Sequence, residues 1–140
     1  MVIDTSALLA VILEEPDASL YFSAIANSPV RLVSTGSVVE ASLVLVGRRT
    51  PGGTALLDTL ISQFDMEVVS FNVQQAQIAR EAFRRFGKGR HKAGLNFGDC
   101  FSYALAKETG QPLLFKGNDF THTDLTPAYS STPNSRSRNA

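Results

Sequence analysis

Apolar positions along the chain fall into two patterns, short continuous runs and longer stretches with helical spacing. Short apolar runs bounded by turn residues are typical of strands buried on both faces. Four such runs predict strands at residues 2–3, 31–34, 66–69 and 113–115. The predicted strands are therefore spread over the length of the chain.

The stretches between these runs predict six helices, at residues 7–13, 17–27, 36–49, 54–64, 73–86 and 97–109. Helix-capping residues support these bounds, because Asn72 and Asn96 precede the last two helices and Gly87 and Gly110 follow them. Strands that alternate with helices of this length favour a parallel sheet covered on both faces. The sequence therefore predicts an α/β fold.

The composition indicates one domain followed by a tail. The chain has 140 residues, of which 44% are hydrophobic, and this suits a single domain with a sizeable core. We assign residues 1–129 to that domain. Residues 130–140 contain no large apolar side chain and are rich in Ser, Asn and Arg, so we predict a disordered tail.

Charge and cysteine content narrow the protein class only slightly. Lys and Arg balance Asp and Glu at 13 each, so net charge does not indicate a nucleic-acid-binding protein. The single Cys100 excludes an internal disulfide, which fits a reducing compartment. The early apolar run at residues 7–13 is far shorter than the roughly 20 residues of a membrane span. We therefore expect a soluble, cytoplasmic protein that does not enter membranes.

Acidic residues occupy positions where an α/β sheet gathers its ligands. Asp4 follows the first predicted strand and Asp119 follows the last, and ligands bind at the carboxyl ends of parallel strands. Taken singly, Asp4 also fits a helix cap, Asp119 a turn residue, and Asp99 a capping-box residue three positions after Asn96. The combination of acids from separate segments is what indicates a site, with Asp124 as a further candidate.

Glu40 lies in a helix that is apolar on nearly every side, so we expect this helix to be buried. A buried carboxylate without a partner must take up a proton or acquire a cation. The alternative is a partly exposed Glu near the start of the helix, where the helix dipole favours it.

A cluster of Asp4, Glu40, Asp99 and Asp119 would be repulsive without a cation. Oxygen ligands without nearby thiol or imidazole groups favour Mg²⁺ or Mn²⁺ over zinc. Such an ion can activate water and offset charge on a phosphoryl group, so a phosphodiester is the expected substrate.

Basic residues are concentrated just before Asp99. Six of the 13 Lys and Arg residues lie between positions 80 and 92. We predict that Lys88, Arg90 and Lys92, together with Arg85, contact the phosphates of a polyanionic substrate. Arg85 equally fits a residue that complements the helix dipole. His91 and His122 share no ligand-like spacing, and we assign neither a catalytic role.

Several segments together resemble the PIN-domain ribonucleases, in particular the VapC-type toxins of bacterial toxin–antitoxin pairs. The resemblance is carried by MVIDTSAL at residues 1–8, Glu40, NFGDCFSYALA at residues 96–106 and LLFKGNDF at residues 113–120. It implies a three-layer α/β/α domain with a five-stranded parallel sheet in the order 3-2-1-4-5. The implied activity is Mg²⁺- or Mn²⁺-dependent endonucleolytic cleavage of structured RNA, of the tRNA or rRNA class, by metal-activated water.

The resemblance also implies roles for residues and partners. Asp4, Glu40 and Asp99 match the three core acids, Asp119 matches a more variable fourth, and Asp124 could assist in metal binding. Thr5 or Ser6 corresponds to a hydroxyl that orients water or a carboxylate. Toxins of this type usually form homodimers and are held inactive by a small VapB-type antitoxin.

Two other readings of the residues stay open. A haloacid-dehalogenase-like phosphatase would also place an Asp after the first strand, but the general acid expected two residues later is replaced by Ser6. A non-catalytic interaction module could use the acids to bind a structural cation or a basic partner. A cleavage assay distinguishes this module from a nuclease.

Overall fold

The computed structural model describes residues 1–129, which form a parallel sheet flanked by helices. The strands are β1 Val2–Ile3, β2 Leu32–Ser34, β3 Glu67–Val69 and β4 Leu113–Leu114. Their order is β3-β2-β1-β4, and each neighbouring pair is parallel. The tail predicted at residues 130–140 lies outside the described residues.

Six helices connect these strands within the described part of the chain: α1 Thr5–Ile12, α2 Ala18–Asn27, α3 Thr35–Gly47, α4 Gly53–Gln63, α5 Val73–Phe86 and α6 Phe97–Thr109. The bounds predicted for α5 and α6 are confirmed, and the ends of the others differ from prediction by at most two residues. No helix within residues 1–129 has the length and apolarity needed to cross a membrane.

The sheet is covered on both faces, as predicted. Ile3 faces a core formed mainly by α1, α2, α3 and α4, whereas its neighbour Val2 faces a core formed mainly by α5 and α6. Successive strand residues point to opposite faces, so this division follows from the alternation of side chains along β1. The three-layer α/β/α architecture is therefore confirmed.

The expected fifth strand is not present within residues 1–129, and the prediction of five strands was wrong for this part of the chain. After β4 the backbone forms turns and meets the strand again at a single parallel bridge between Leu113 and Pro127. Leu113 donates its N–H to the carbonyl of Thr126 at 3.0 Å and accepts from Ala128 N–H at 2.8 Å. Pro127 has no backbone N–H, so it cannot donate a hydrogen bond to a further strand at this side of the sheet.

The expectation that α3 is buried on nearly every side was also wrong. Ala41 and Leu45 are buried, but Val39, Leu43 and Val46 are 58%, 67% and 66% exposed. The many apolar residues of α3 therefore mark an uncovered apolar face. Contiguous exposed apolar residues are typical of an interaction surface.

Helices α3 and α6 approach each other closely at Gly36. A Cβ atom at this position would overlap the ring of Phe101, which packs edge to face against Phe71 and Phe97 with centroid distances of 4.8 and 5.1 Å. The ring is therefore fixed by its neighbours. This contact brings the helix that carries Glu40 against the helix that carries Asp99.

We expect Gly36→Ala to destabilise the protein by about 1–3 kcal/mol, because the added methyl group overlaps the fixed Phe101 ring. Gly47→Ala is the matched control, since a Cβ at Gly47 meets no atom within 4 Å. The control should be neutral or stabilising by up to about 1 kcal/mol, because Ala is the better helix former. Urea unfolding measures both changes, and equal stabilities of the two variants would contradict the close approach of α3 and α6.

Candidate active site

Asp4 stands at the carboxyl end of β1, where it caps α1. Its backbone is extended, and its Oδ2 accepts the N–H of Ser6 at 3.0 Å and the Ser6 hydroxyl at 2.6 Å. The residue is only 4% exposed. Asp4 is therefore both the helix cap and a buried carboxylate at the carboxyl ends of the parallel strands, where ligands are expected.

Asp99 lies in the first turn of α6 and forms a capping box with Asn96. The Asn96 side chain accepts the N–H of Asp99, and Asp99 Oδ2 accepts the N–H of Asn96, each at 3.0 Å. The side chain of Asp99 also hydrogen-bonds with that of Asp119, which contributes to the raised pKa of Asp99. One oxygen of this carboxylate is therefore committed to the helix cap, and the side chain also meets a second acid.

Glu40 reaches the same region from α3 and is half-buried. Its carboxylate lies directly against Gly98, where a Cβ atom would overlap the carboxylate oxygens. The residue before Asp99 therefore has to be small if Glu40 is to occupy this position. This contact joins the two acids across α3 and α6.

The electrostatics show that these acids act on one another. Burial raises the pKa of Asp99 to about 7, and the charges of Asp4 and Asp119 add to this rise, although the N–H of Asn96 opposes it. Burial is also the main cause of the raised pKa of Glu40, to which the charge of Asp4 contributes, while the Thr5 hydroxyl opposes the rise. Burial likewise raises the pKa of Asp4, against its hydrogen bonds from Ser102 and Ser6. The structure thus brings the four predicted acids together, with Asp119 at the exposed side.

Asp124 is engaged elsewhere. Its Oδ1 accepts the hydroxyl of Tyr103 at 2.6 Å, and its Oδ2 accepts from Lys107 Nζ at 3.0 Å and lies 3.7 Å from the guanidinium of Arg85. Burial alone would raise the pKa of Asp124, but the hydrogen bonds from Tyr103 and Lys107 outweigh it and hold the pKa below its usual value. These contacts fasten the segment after β4 to α5 and α6, and they do not support the predicted metal-binding role.

The donor chemistry of the four acids fits a hard divalent cation. All four offer carboxylate oxygens, and burial raises the pKa of Asp4, Glu40 and Asp99, which disfavours their charged forms when no cation is near. As the side chains stand, no three His, Cys, Asp or Glu residues within residues 1–129 are close enough to form a ready-made ion site. The acids therefore match such an ion by the chemistry of their donor atoms.

The two predicted supporting hydroxyls are both at the site. Ser6 Oγ donates to Asp4 and accepts the backbone N–H of Lys116 at 2.9 Å, which ties Asp4 to the segment that leads to Asp119. Thr5 is buried and donates to the carbonyl of Ser37 at 3.3 Å. Both hydroxyls thus connect α1 to neighbouring parts of the site.

Two serines at the site escaped the sequence analysis. Ser102 donates to Asp4 Oδ1 at 2.6 Å, and Ser37 Oγ lies 3.1 Å from Ser102 Oγ. The available signal was spacing, because Ser102 follows Asp99 by three residues and Ser37 precedes Glu40 by three. Residues one helical turn apart share a face, so each serine points toward the same region as its acid.

The predicted basic loop is anchored beside Asp99. Residues 87 and 95 pair across its base, where Lys88 N–H donates to Leu95 O at 2.9 Å and Leu95 N–H donates to Phe86 O at 2.8 Å. Lys88, Arg90 and Lys92 are exposed, and within residues 1–129 none of them forms a salt bridge. Arg85 is also exposed, but its guanidinium pairs with Asp124, which also pairs with Lys107, and it lies over the ring of Phe86.

Known proteins match the chain over nearly its whole described length. Residues 1–125 match the family model described as PIN domain. Ribonuclease VapC of Mycolicibacterium smegmatis is 53% identical over 125 residues, which cover 89% of this chain and 97% of that protein. Ribonuclease VapC30 of Mycobacterium tuberculosis is 51% identical over 125 residues, covering 89% and 95%.

A solved structure shows the same fold. The crystal structure of Mycobacterium tuberculosis VapC20, described as a Sarcin-Ricin loop cleaving toxin, superposes with a TM-score of 0.74 and 16% sequence identity. The match covers 89% of this chain and 95% of that chain. At this identity the likeness concerns the fold alone.

We expect Asp99→Asn to remove part of the pH dependence of stability in the metal-free protein. Below about pH 4 this carboxyl group is protonated in both the folded and the unfolded state. As the pH rises toward the folded pKa of about 7, only the unfolded state loses this proton, so the free energy of unfolding falls. At pH 8 the variant should be more stable than the unsubstituted protein by on the order of 1 kcal/mol.

Urea unfolding in EDTA between pH 4 and pH 8 measures this effect. The Asn side chain can still accept the N–H of Asn96, so the helix cap is retained. Asp58→Asn, at an exposed acid on α4, is the control and should keep the original pH dependence. A pH profile of Asp99→Asn identical to that of the control would contradict the raised pKa.

Proposed function

This chain belongs to the PIN-domain family, and we propose that it is a Mg²⁺- or Mn²⁺-dependent endoribonuclease that acts in the cytoplasm as the toxin of a toxin–antitoxin pair. Relatives named ribonuclease VapC support the ribonuclease activity, since they are about half identical over nearly their full lengths. The family model covers the segments that carry all four acids.

One observation carries the proposal: four carboxylates come together at the carboxyl ends of the strands. They lie directly after β1, on α3, on α6 and in the segment after β4. Burial raises the pKa of Asp99 to about 7, and repulsion from Asp4 and Asp119 adds to this rise. The nearby Lys116 does not relieve it, because its ammonium group pairs with Glu15 and Asp17. A divalent cation would relieve this repulsion and would be attracted by it.

Each acid of the site, together with Ser6, has its own proposed role in hydrolysis. Asp4 and Asp99 would hold the ion, Glu40 and Asp119 would complete its surroundings, and Ser6 would keep Asp4 in place. When bound, the ion supplies a water of lowered pKa and offsets negative charge on the phosphodiester. The exposed position of Asp119 leaves one side of the site open to a polyanion.

We propose structured RNA of the tRNA or rRNA class as the substrate. Lys88, Arg90 and Lys92 lie on an anchored loop next to Asp99, where they can bind phosphates on either side of the cleaved bond. Such contacts position RNA without reading its bases. Selectivity would then come from the shape of the RNA.

A VapB-type antitoxin and a second copy of the chain are the proposed partners. An apolar groove of about 610 Å³ runs beside the site, lined by Val39, Leu43, Phe97 and Phe101, with Glu40 in its wall. Phe97 is 79% exposed. An antitoxin that covers these apolar residues could place an Arg against Glu40 and the neighbouring acids, which would block both the ion and the substrate.

We expect the purified protein to cleave structured RNA when Mn²⁺ or Mg²⁺ is present and to lose this activity in EDTA. Asp4→Asn and Asp99→Asn should each lower the cleavage rate by about a hundredfold or more, because each removes a negatively charged ligand. An Asn side chain can still cap α1 in place of Asp4 and can still accept the N–H of Asn96 in place of Asp99, so both variants should remain folded. A time course with tRNA and rRNA substrates, together with circular dichroism, measures both effects.

Asp58→Asn is the charge-matched control and should cleave at the original rate. Full activity of both active-site variants would show that the acids do not perform catalysis. Absence of cleavage by the unsubstituted protein with either ion would favour the alternative of a non-catalytic interaction module.

We expect the double substitution Arg90→Ala and Lys92→Ala to weaken RNA binding and reduce its salt dependence. Loss of two phosphate contacts should lower the slope of log K against log salt by about 1.5. Fluorescence anisotropy in EDTA at several salt concentrations measures this slope. The control is Arg48→Ala with Arg49→Ala, which removes two exposed charges from the carboxyl end of α3. A slope unchanged by the loop variant would remove the loop from the binding surface.

A further inference from the structure

The carboxylate of Asp4 is held on both of its oxygens. Oδ2 accepts two hydrogen bonds from Ser6, which belongs to the helix that Asp4 caps. Oδ1 accepts one hydrogen bond of 2.6 Å from the hydroxyl of Ser102 on α6. The plane of the carboxylate is therefore set by two helices, and Oδ1 keeps one lone pair for a further ligand.

Ser102 is part of a chain of buried hydroxyl groups. Its Oγ lies 3.1 Å from Ser37 Oγ on α3, and both serines are fully buried. An ionised carboxylate can only accept hydrogen bonds, so the hydrogen of Ser102 points to Asp4. The hydrogen of Ser37 then points to Ser102. The chain of hydroxyls therefore runs from α3 through α6 and ends on Asp4.

Both serines lie one helical turn from an acid of the site. Ser102 follows Asp99 on α6, and Ser37 precedes Glu40 on α3, each at a spacing that keeps the pair on one face. Burying a hydroxyl is unfavourable unless it is hydrogen-bonded, so core packing alone would be served as well by Ala at these positions. What the hydroxyls add is a directed hydrogen bond to Asp4.

We infer that Ser102, supported by Ser37, is a positioning residue that fixes the Asp4 carboxylate in the orientation in which Oδ1 can bind the divalent ion. The inference rests on the proposed function, because it assigns Asp4 to that ion. Carboxylates that bind metals are oriented by hydrogen-bonding partners, and removal of such a partner typically lowers metal affinity or activity by about 10- to 100-fold. Ser102 has the contact and the burial of such a partner.

The test is Ser102→Ala, which removes the donor with little change in volume. We expect the Mn²⁺ concentration that gives half of the maximal rise in melting temperature to increase about tenfold, with a similar fall in the RNA cleavage rate. The melting temperature in EDTA reports whether the fold is retained. A purely structural role would change the melting temperature in EDTA. It would leave unchanged the Mn²⁺ concentration that gives half of the maximal stabilisation, the Mn²⁺ midpoint.

Two control variants sharpen the comparison. Ser42→Ala removes another helix hydroxyl, which donates to the carbonyl of Val38 at 2.8 Å, and it should leave the Mn²⁺ midpoint unchanged. Ser37→Ala keeps the bond between Ser102 and Asp4 but removes its support, so its midpoint should lie between those of the other two. If Ser102→Ala does not fold, Ser102→Cys replaces it, because the thiol is a weaker donor and should still raise the midpoint.

The possible results separate this inference from the proposed function. Equal Mn²⁺ midpoints for the Ser102 variant and Ser42→Ala would overturn the positioning role while leaving the nuclease proposal intact. Stabilisation of the unsubstituted protein by Mn²⁺ without any RNA cleavage would overturn the nuclease proposal alone. Neither stabilisation nor cleavage by the unsubstituted protein would overturn both.

Discussion

Repulsion among desolvated carboxylates is the constraint around which this molecule is built. Asp4, Glu40 and Asp99 are drawn out of water at one edge of the sheet, and burial raises the pKa of each. Left alone, such a cluster would favour expansion or proton uptake. The parallel sheet holds the acids in place because β1 ends at the same edge from which α3 and α6 begin. The same negative charge is the basis of the proposed binding of a divalent cation.

Two of the acids also stabilise the fold. Asp4 caps α1 and Asp99 completes the capping box of α6, so each spends part of its hydrogen-bonding capacity on a helix terminus. The other oxygen of Asp4 accepts the hydroxyl of Ser102, and the side chain of Asp99 also meets that of Asp119. The same two side chains therefore serve both the helix termini and the acidic cluster.

Local patterns in the sequence predicted most of the fold and the four acids, because strand runs, helix caps and the placement of acids after strands are short-range features. The residue pattern predicted the four observed strands, and the fifth was implied only by the family resemblance. After β4 the chain meets the sheet at one isolated bridge between Leu113 and Pro127. The burial of α3 failed because apolar composition does not distinguish a core from an uncovered surface. Ser37 and Ser102 were missed because their role depends on the hydrogen bond between Ser102 and Asp4, and Asp4 is distant in sequence from both serines. Asp124 was offered as an assisting acid because nothing in its neighbourhood along the chain revealed Tyr103 and Lys107 as its partners.

The strand order has a consequence for the newly made protein. Among the elements of residues 1–129, β1 is synthesised first, yet it pairs on one side with β4, which is synthesised last. The hydroxyl of Ser6 likewise accepts a hydrogen bond from the backbone N–H of Lys116, which is made much later. A chain interrupted before residue 96 would carry Asp4 and Glu40 but neither Asp99 nor Asp119. Only a chain completed past residue 119 therefore carries the whole acidic cluster.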